Sequence, residues 1–180
     1  MNLRSLAVLL GLFFALVQGA LAGLADELTE VNRLHRSGQT VAALDRADRY
    51  LAANPKDAQM RFLKAVVLAE TGSAARATVL LEQLAQDYPE LAEPHNNLAA
   101  LHAAAGEYAK ARAALEMSLR INPVFATAHE NLGDVYAMLA SQAYARALSL
   151  EPGSTTIPAK LAIVREIASP RSPDIPTVRR

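Results

Sequence analysis

Apolar residues recur along the chain at the spacing of one α-helical face, and glycine or proline interrupts the apolar segments. The first segment, for example, places Leu28, Val31 and Leu34 on one face. Because glycine and proline end helices, the pattern predicts short helices in succession. The predicted helices span residues 26–36, 40–53, 57–71, 75–86, 93–105 and 108–120.

Three sets of residues repeat with a period of 34 residues: glycines at predicted turns, alanines in the second helix of each pair, and prolines that close each pair. They are Gly38, Gly72 and Gly106; Ala43, Ala77 and Ala111; and Pro55, Pro89 and Pro123. Three markers with one period are typical of an array of helix–turn–helix units. The most regular unit runs from Pro89 to Pro123, and we expect its helices to approach closely at Ala99 and Ala111.

The fourth unit is shorter than the others. The period places its closing proline at position 157, but the proline is Pro152, five residues earlier. Between Gly133 and that proline there is no further glycine or proline, and apolar residues continue at helical spacing. One interpretation is a tight turn near Ser141, but no Glu or Gln follows three residues later to complete a capping box. We favour one continuous helix over about residues 127–150, which fuses the two helices of this unit.

A last short helix is predicted over residues 156–168, after the turn that begins at Pro152. Its apolar face consists of Leu161, Val164, Ile167 and Ala168. Because the last unit of a repeat array needs a cover for its apolar face, we expect this helix to cap the array. The repeat domain is thus predicted to span residues 26–168. Residues 169–180 contain three prolines and no periodicity, which predicts a disordered tail.

The composition favours an all-α protein and excludes some classes of chemistry. Alanine and leucine, both strong helix formers, are abundant. Basic and acidic residues number 18 each, so no net charge attracts nucleic acid, and we expect no nucleic-acid partner. The chain has no cysteine, which removes thiol catalysis and cysteine-based metal sites.

The N-terminal residues have the layout of a secretory signal peptide. Arg4 is followed by the apolar run LAVLLGLFFALV, and then by Ala20 and Ala22 at the first and third positions of an A-x-A cleavage site. We predict a signal peptide over residues 1–22 that is cleaved after Ala22, with cleavage after Ala25 as the second choice.

The length of the apolar run bears on whether this segment stays in the membrane. The run is shorter than the roughly 20 residues that span a bilayer. We therefore expect a periplasmic or secreted protein with no stable membrane anchor after cleavage. The alternative is an uncleaved anchor that extends through Leu24.

The units resemble tetratricopeptide repeats (TPRs), whose pattern is W-x2-L-G-x2-Y, then A-x3-F, then P. In the third unit the matching residues are His95, Leu98, Ala99, His102, Ala111, Leu115 and Pro123. In the fourth unit they are His129, Leu132, Gly133, Tyr136, Ala140, Tyr144 and Pro152. The resemblance covers residues 26–152 and implies an all-α helix–turn–helix solenoid with about three regular units, a shortened fourth unit and a C-terminal capping helix. It says little about function, because this fold serves many partners.

The candidate chemical residues do not form a recognisable catalytic or metal site. His95 and His129 occupy the same place in successive units, and His102 lies two turns after His95. All three replace aromatic residues of the TPR pattern, so we interpret them as packing residues rather than as metal ligands. No H-E-x-x-H, G-x-S-x-G, Walker or G-x-G-x-x-G motif is present. We expect no metal, no cofactor and no enzymatic activity.

The resemblance also implies a binding surface, since the first helix of each pair lines the concave side of such arrays. Asn97 and Asn131 lie 34 residues apart on this side, and their amides can pair with the backbone of an extended peptide. The alternative is that both serve helix packing. Phe62 and Val66 are the predicted apolar anchors. The predicted partner-binding residues are Phe62, Val66, Asn97, Ala100, Asn131 and Asp134.

One known binding mode of TPR proteins is not expected here. Some members clamp a terminal carboxylate with Lys and Arg side chains. The corresponding places in this chain hold Glu93, Asn97, Thr127 and Asn131, so the clamp is absent.

Two functional hypotheses follow. The leading one is an exported adaptor or scaffold that binds a protein or peptide partner on its concave face, in a cell-envelope process. The alternative is a self-assembling structural module, a homo-oligomer in which the apolar stripe at residues 139–150 pairs with a second copy.

Overall fold

The computed structural model describes residues 26–168, and this range contains eight helices and no strand. The helices are α1 (26–36), α2 (Thr40–Ala53), α3 (Ala58–Glu70), α4 (Ala74–Asp87), α5 (Glu93–Ala104), α6 (Tyr108–Ile121), α7 (Ala126–Leu150) and α8 (Ile157–Ala168). The predicted fold class, an all-α array of helix–turn–helix units, is confirmed. The predicted signal peptide (1–22) and the predicted tail (169–180) lie outside the described residues.

The same turn joins the two helices of each of the first three pairs. Gly38, Gly72 and Gly106 have φ angles of 76°, 79° and 75°. At the third turn, the N–H of Gly106 donates to the carbonyl of Ala103, and that of Glu107 donates to the carbonyl of His102, both at 2.9 Å. This Schellman motif needs a left-handed residue, which glycine provides without a steric penalty. The glycine period therefore reflects a backbone requirement at each turn.

Proline ends the second helix of each pair. The residues that precede the prolines at 55, 89 and 123 are Asn54, Tyr88 and Asn122, and their φ angles of −130°, −135° and −129° lie outside the helical region. The proline ring clashes with a helical conformation of the residue before it. Glu151, before Pro152, has the same geometry, with φ −129°. The fourth unit therefore closes in the same way as the others.

The chain forms two compact units, each of which contains two successive repeats. The first unit ends at Tyr88 and the second unit begins at Pro89. In the first unit, α1, α2 and α3 share a core of buried side chains: Val31, Leu34, Ala43, Ala47 and Met60. Arg61 on α3 is only 8% exposed; its Nη1 lies 2.6 Å from Asp87 Oδ2, and its guanidinium lies 5.9 Å from the Tyr88 ring centroid. These contacts fix α3 against the end of α4. The prediction of one repeat domain over residues 26–168 stays a prediction.

The second unit contains α5 to α8, and its core lies where α5, α6 and α7 meet. The buried side chains there are Ala99, Ala111, Leu115, Ala128 and Val135. Ala99 and Ala111 are at most 1% exposed, in keeping with the close approach expected from the sequence. The fully buried Ser118 Oγ donates to the carbonyl of Ala92 at 2.8 Å, which ties α6 to the segment before α5.

The fourth repeat contains one uninterrupted helix. Helix α7 has 25 residues and passes through both Gly133 and Ser141, so the predicted fusion of two helices is confirmed. At about 1.5 Å per residue, α7 is roughly 37 Å long. The reason is local: residues 134–150 contain neither a glycine to supply a left-handed turn nor a proline to end the helix.

Helix α8 packs against α7 and serves as the cap. Of its predicted apolar face, Leu161 is buried and Val164 is half-buried, but Ile167 is 57% exposed. The contact face of α8 is therefore narrower than the sequence pattern indicated. Within residues 26–168, the structure has no helix that combines the length and the apolar character needed to cross a membrane.

The continuity of α7 can be tested at Ser141. We expect Ser141→Pro to lower the free energy of unfolding by about 3 kcal/mol or more, because proline in a helix interior removes a hydrogen bond and clashes with the preceding turn. Ser141→Ala is the control and should change stability by less than about 0.5 kcal/mol. Both are measured by denaturant unfolding. Equal stability of the two variants would show that a turn, which tolerates proline, lies at this position.

Candidate functional site

A cavity of about 250 Å³ lies in the second unit, where α5, α6 and α7 meet. Its floor is formed by the apolar side chains of Ala99, Leu115 and Val135, all of which are buried. Ala100 and Asp134 line the same cavity and are exposed. The full lining consists of Ala99, Ala100, Ala103, Leu115, Asn131, Asp134 and Val135.

Small residues on α5 create this space. Ala99, Ala100 and Ala103 lie on neighbouring turns of α5, and each contributes only a methyl group to the lining. A leucine at the exposed position Ala100 would extend into the open volume, whereas a leucine at the buried Ala99 would collide with the core. We therefore expect a leucine at position 100 to fill the cavity without disturbing the fold.

A hydrogen bond between two asparagines holds one wall of the cavity. Asn131 Nδ2 on α7 donates to Asn96 Oδ1 on α5 at 2.9 Å. Asn96 is only 8% exposed, so its amide oxygen depends on this donor. The bond joins the first helices of two successive repeats and fixes the orientation of the Asn131 amide at the cavity.

The predicted partner-binding residues are distributed over both units. Ala100, Asn131 and Asp134 come together in the lining of the cavity. Asn97 lies on α5 but not in that lining, and its Nδ2 donates to the carbonyl of Glu93 in its own helix at 3.0 Å. The remaining two, Phe62 and Val66, are half-buried residues of α3 in the first unit.

Sequence reasoning did not identify Asn96 or the apolar floor. A signal for Asn96 was available, since it lies 35 residues before Asn131, one position away from the 34-residue period. Two amides on adjacent first helices at nearly equivalent positions can meet across the helix interface. The floor residues Leu115 and Val135 were recognisable as core residues, but not as the lining of a cavity.

The one charged side chain in the lining of the cavity, that of Asp134, is acidic. Asp134 has no ion pair within residues 26–168, and α5 contains neither lysine nor arginine. Two of the three basic residues of the neighbouring α6 are engaged with carboxylates: Lys110 Nζ lies 2.9 Å from Glu107 Oε1, and Arg112 Nε lies 3.4 Å from Glu116 Oε1. The third, Arg120, lies in the last turn of that helix. The hydrogen bonds from Lys110 and His102 lower the pKa of Glu107, which therefore stays ionised at neutral pH.

The histidines of the second unit have separate environments. Burial lowers the pKa of His95, so this imidazole is neutral at pH 7. His102 Nδ1 lies 2.8 Å from Glu107 Oε2, and His129 Nε2 donates to the Pro123 carbonyl at 2.9 Å. Across the part of the chain that the structure describes, no three His, Asp or Glu side chains are grouped to hold a metal ion.

The first unit contains a histidine–carboxylate pair and a larger cavity. His35 Nε2 lies 2.5 Å from Glu70 Oε2, but the Glu70 side chain is 61% exposed, so the pair lies at the surface. The cavity, of about 400 Å³, is lined by Lys64, Leu68, Ala75, Arg76, Val79, Leu80 and Gln83. Neither of the predicted anchors on α3 lines it, and Lys64 is paired with Asp48.

The successive helix pairs and their repeated turns define a helical-repeat protein of the solenoid class. Its repeats have the tetratricopeptide repeat fold, which confirms the resemblance seen in the sequence. The thermophilic TPR protein TTC0263 of Thermus thermophilus is 25% identical, with a TM-score of 0.59 over 79% of this chain and 81% of that protein.

Two further solved structures share the fold at lower identity. MamA is 21% identical, with a TM-score of 0.56 over 76% of this chain and 82% of its own. The first TPR domain of Spaghetti (RPAP3), solved with a bound HSP90 peptide, is 17% identical, with a TM-score of 0.58 over 63% of this chain and 90% of that domain. No protein-family model matches the sequence, and no curated protein matches it.

The asparagine bond at the cavity leads to a stability prediction. We expect Asn131→Ala to lower the free energy of unfolding by about 1–3 kcal/mol, because the buried Asn96 oxygen loses its donor. Asn97→Ala is the matched control. It removes only a bond to a carbonyl of its own helix and should cost less than about 0.5 kcal/mol. Both are measured by denaturant unfolding, and similar losses in the two variants would contradict the assignment.

Proposed function

We propose that this chain is an adaptor that binds a protein or peptide partner through the cavity between α5 and α7. The observation that carries the proposal is the combination of an open apolar cavity with an exposed carboxylate and a fixed amide at its edge. Apolar cavities with a few placed polar groups are the usual form of ligand-binding sites. The TPR domain of Spaghetti, solved with an HSP90 peptide, supports a peptide as the type of partner.

The arrangement suits an extended peptide that lies along α5 and α7. Asn131 donates its N–H to Asn96, which leaves the Asn131 carbonyl oxygen to accept a peptide N–H. A side chain of the peptide enters the cavity and contacts Leu115 and Val135. Because the cavity is small, we expect modest affinity, of the kind found in transient adaptor complexes.

The partner differs from the acidic carboxylate-terminated peptides that some TPR proteins clamp. The clamp positions hold Glu93, Asn97, Thr127 and Asn131, none of which is basic. An acidic peptide would meet Glu93 and Asp134 instead of cations, and like charges at short range repel.

Self-assembly through residues 139–150 stays a prediction with less surface to support it. Helix α8 packs against α7, and Leu139 is part of the second unit's own packing. Among the large apolar residues of this stripe, Leu150 is the one that is mostly exposed, at 69%. We therefore favour the binding function.

The cavity can be tested by filling it. Peptides that bind the full chain are first selected from a random heptapeptide display library, and their affinities are then measured by fluorescence polarisation. We expect Ala100→Leu to weaken binding at least about tenfold, because the leucine occupies the cavity. The control is Ala113→Leu, the same change at an exposed position of α6 outside the cavity. Unchanged binding to Ala100→Leu would overturn the proposed site.

Export to the periplasm or medium is the second part of the proposal, together with a role in a cell-envelope process. Its support is the N-terminal sequence, with its basic start, apolar run and A-x-A site. We expect the mature protein isolated from its native cells to begin at Gly23, as measured by intact mass and N-terminal peptide sequencing. Ala22→Leu should block cleavage at this site because signal peptidase sites need small residues there. A protein that retains residues 1–22 would contradict cleavage.

A further inference from the structure

We propose that the cavity between α5 and α7 accepts the side chain of a lysine or arginine from a basic segment of the partner. This inference rests on the proposed function, since it names the chemistry of the group that the same cavity receives. Three properties of the cavity lead to it: the apolar floor, the position of the carboxylate, and the distribution of charge on α5 and α7.

The cavity suits one amphipathic side chain. At about 250 Å³ it is smaller than the usual range of about 300–1,000 Å³ for small-molecule pockets, so a single side chain is a better fit than a whole ligand. The floor at Ala99, Leu115 and Val135 is apolar and buried. Lysine and arginine have an aliphatic stem that packs on such a surface, and a charged head that remains at its edge.

The carboxylate of Asp134 stands where that charged head would be. Asp134 is an exposed residue of the lining, and it has no ion pair within residues 26–168. Asn131, also in the lining, supplies an amide oxygen that can accept a hydrogen bond from an ammonium or guanidinium group. Two acceptors beside an apolar floor match a cationic head better than they match a purely apolar or an anionic side chain.

No basic residue of the adjoining first helices competes for Asp134. Helix α5 has neither lysine nor arginine, and the sole basic side chain of α7 besides His129 is Arg146. Arg146 lies 12 residues beyond Asp134, about 18 Å along the helix axis. Glu93 on α5 and Glu130 on α7 are exposed and add negative charge on these two helices. The surface is therefore complementary to a basic segment.

The test uses the same heptapeptide display library on the full chain and on two variants of Asp134. We expect peptides selected by the wild-type chain to be enriched in Lys or Arg at one position. Asp134→Asn should lose that enrichment, and Asp134→Lys should favour Asp or Glu at the same position. In polarisation assays, replacing the selected lysine by norleucine, which keeps the stem and removes the charge, should weaken binding about threefold to tenfold. This difference should shrink at about 0.5 M salt, where exposed charges are screened.

Glu130→Gln is the matched control, because it removes one negative charge from an exposed position of α7 that does not line the cavity. It should keep the basic preference. If Glu130→Gln and Asp134→Asn lose the preference for Lys or Arg equally, the preference arises from the overall negative charge of α7 and not from Asp134. That result would overturn the inference. Selected peptides that carry Leu or Met instead, but still lose affinity to Ala100→Leu, would overturn the inference and leave the proposed function intact. If every peptide selected by the wild-type chain binds Ala100→Leu equally well, or if no peptide is selected, both the inference and the proposed function are overturned.

Discussion

Helix termination is the constraint that determines how this chain folds. The first three helix pairs reverse direction at a left-handed glycine, because a Schellman motif is the local way to satisfy the last helical carbonyls. Where the fourth pair should reverse, the chain has no such glycine, and α7 continues as a single helix. One missing turn then has a structural consequence, since the second half of α7 needs a partner, and α8 provides it.

Close approach of the helices is the second condition, and alanine provides it. Ala99, Ala111 and Ala128 are at most 1% exposed, so α5, α6 and α7 meet at positions where a larger side chain would separate them. Large residues then fill the space beside these contacts. The complete burial of Leu115, for example, contributes about 1.5–3 kcal/mol. The same small residues on α5 also leave the cavity partly unfilled, so the close helix packing and the cavity both depend on the small size of these side chains.

The parts of this fold that follow from local rules could be predicted from the sequence. The turn glycines and closing prolines act on their own neighbours, so they predicted the helix boundaries and the fusion of the fourth unit. The site depends on the register between helices that are distant in sequence. The bond between Asn131 and Asn96 joins two successive repeats. The 34-residue period pointed to Asn97 instead, which is one residue away and lies on a different side of α5. Ala100 and Asp134 were named for their face, and the structure shows that they share a cavity.

The difference between positions that repeat and positions that vary explains how a regular array can carry a candidate binding site. Residues 100 and 134 occupy equivalent places in successive repeats, and both line the cavity. One is alanine and the other is aspartate. Aspartate at both places would set two like charges around one small space, which costs free energy and leaves less room. Alanine at both places would leave an apolar hollow with no charge to select a partner. The fold therefore depends on positions where the repeats agree, whereas the proposed recognition depends on positions where they differ.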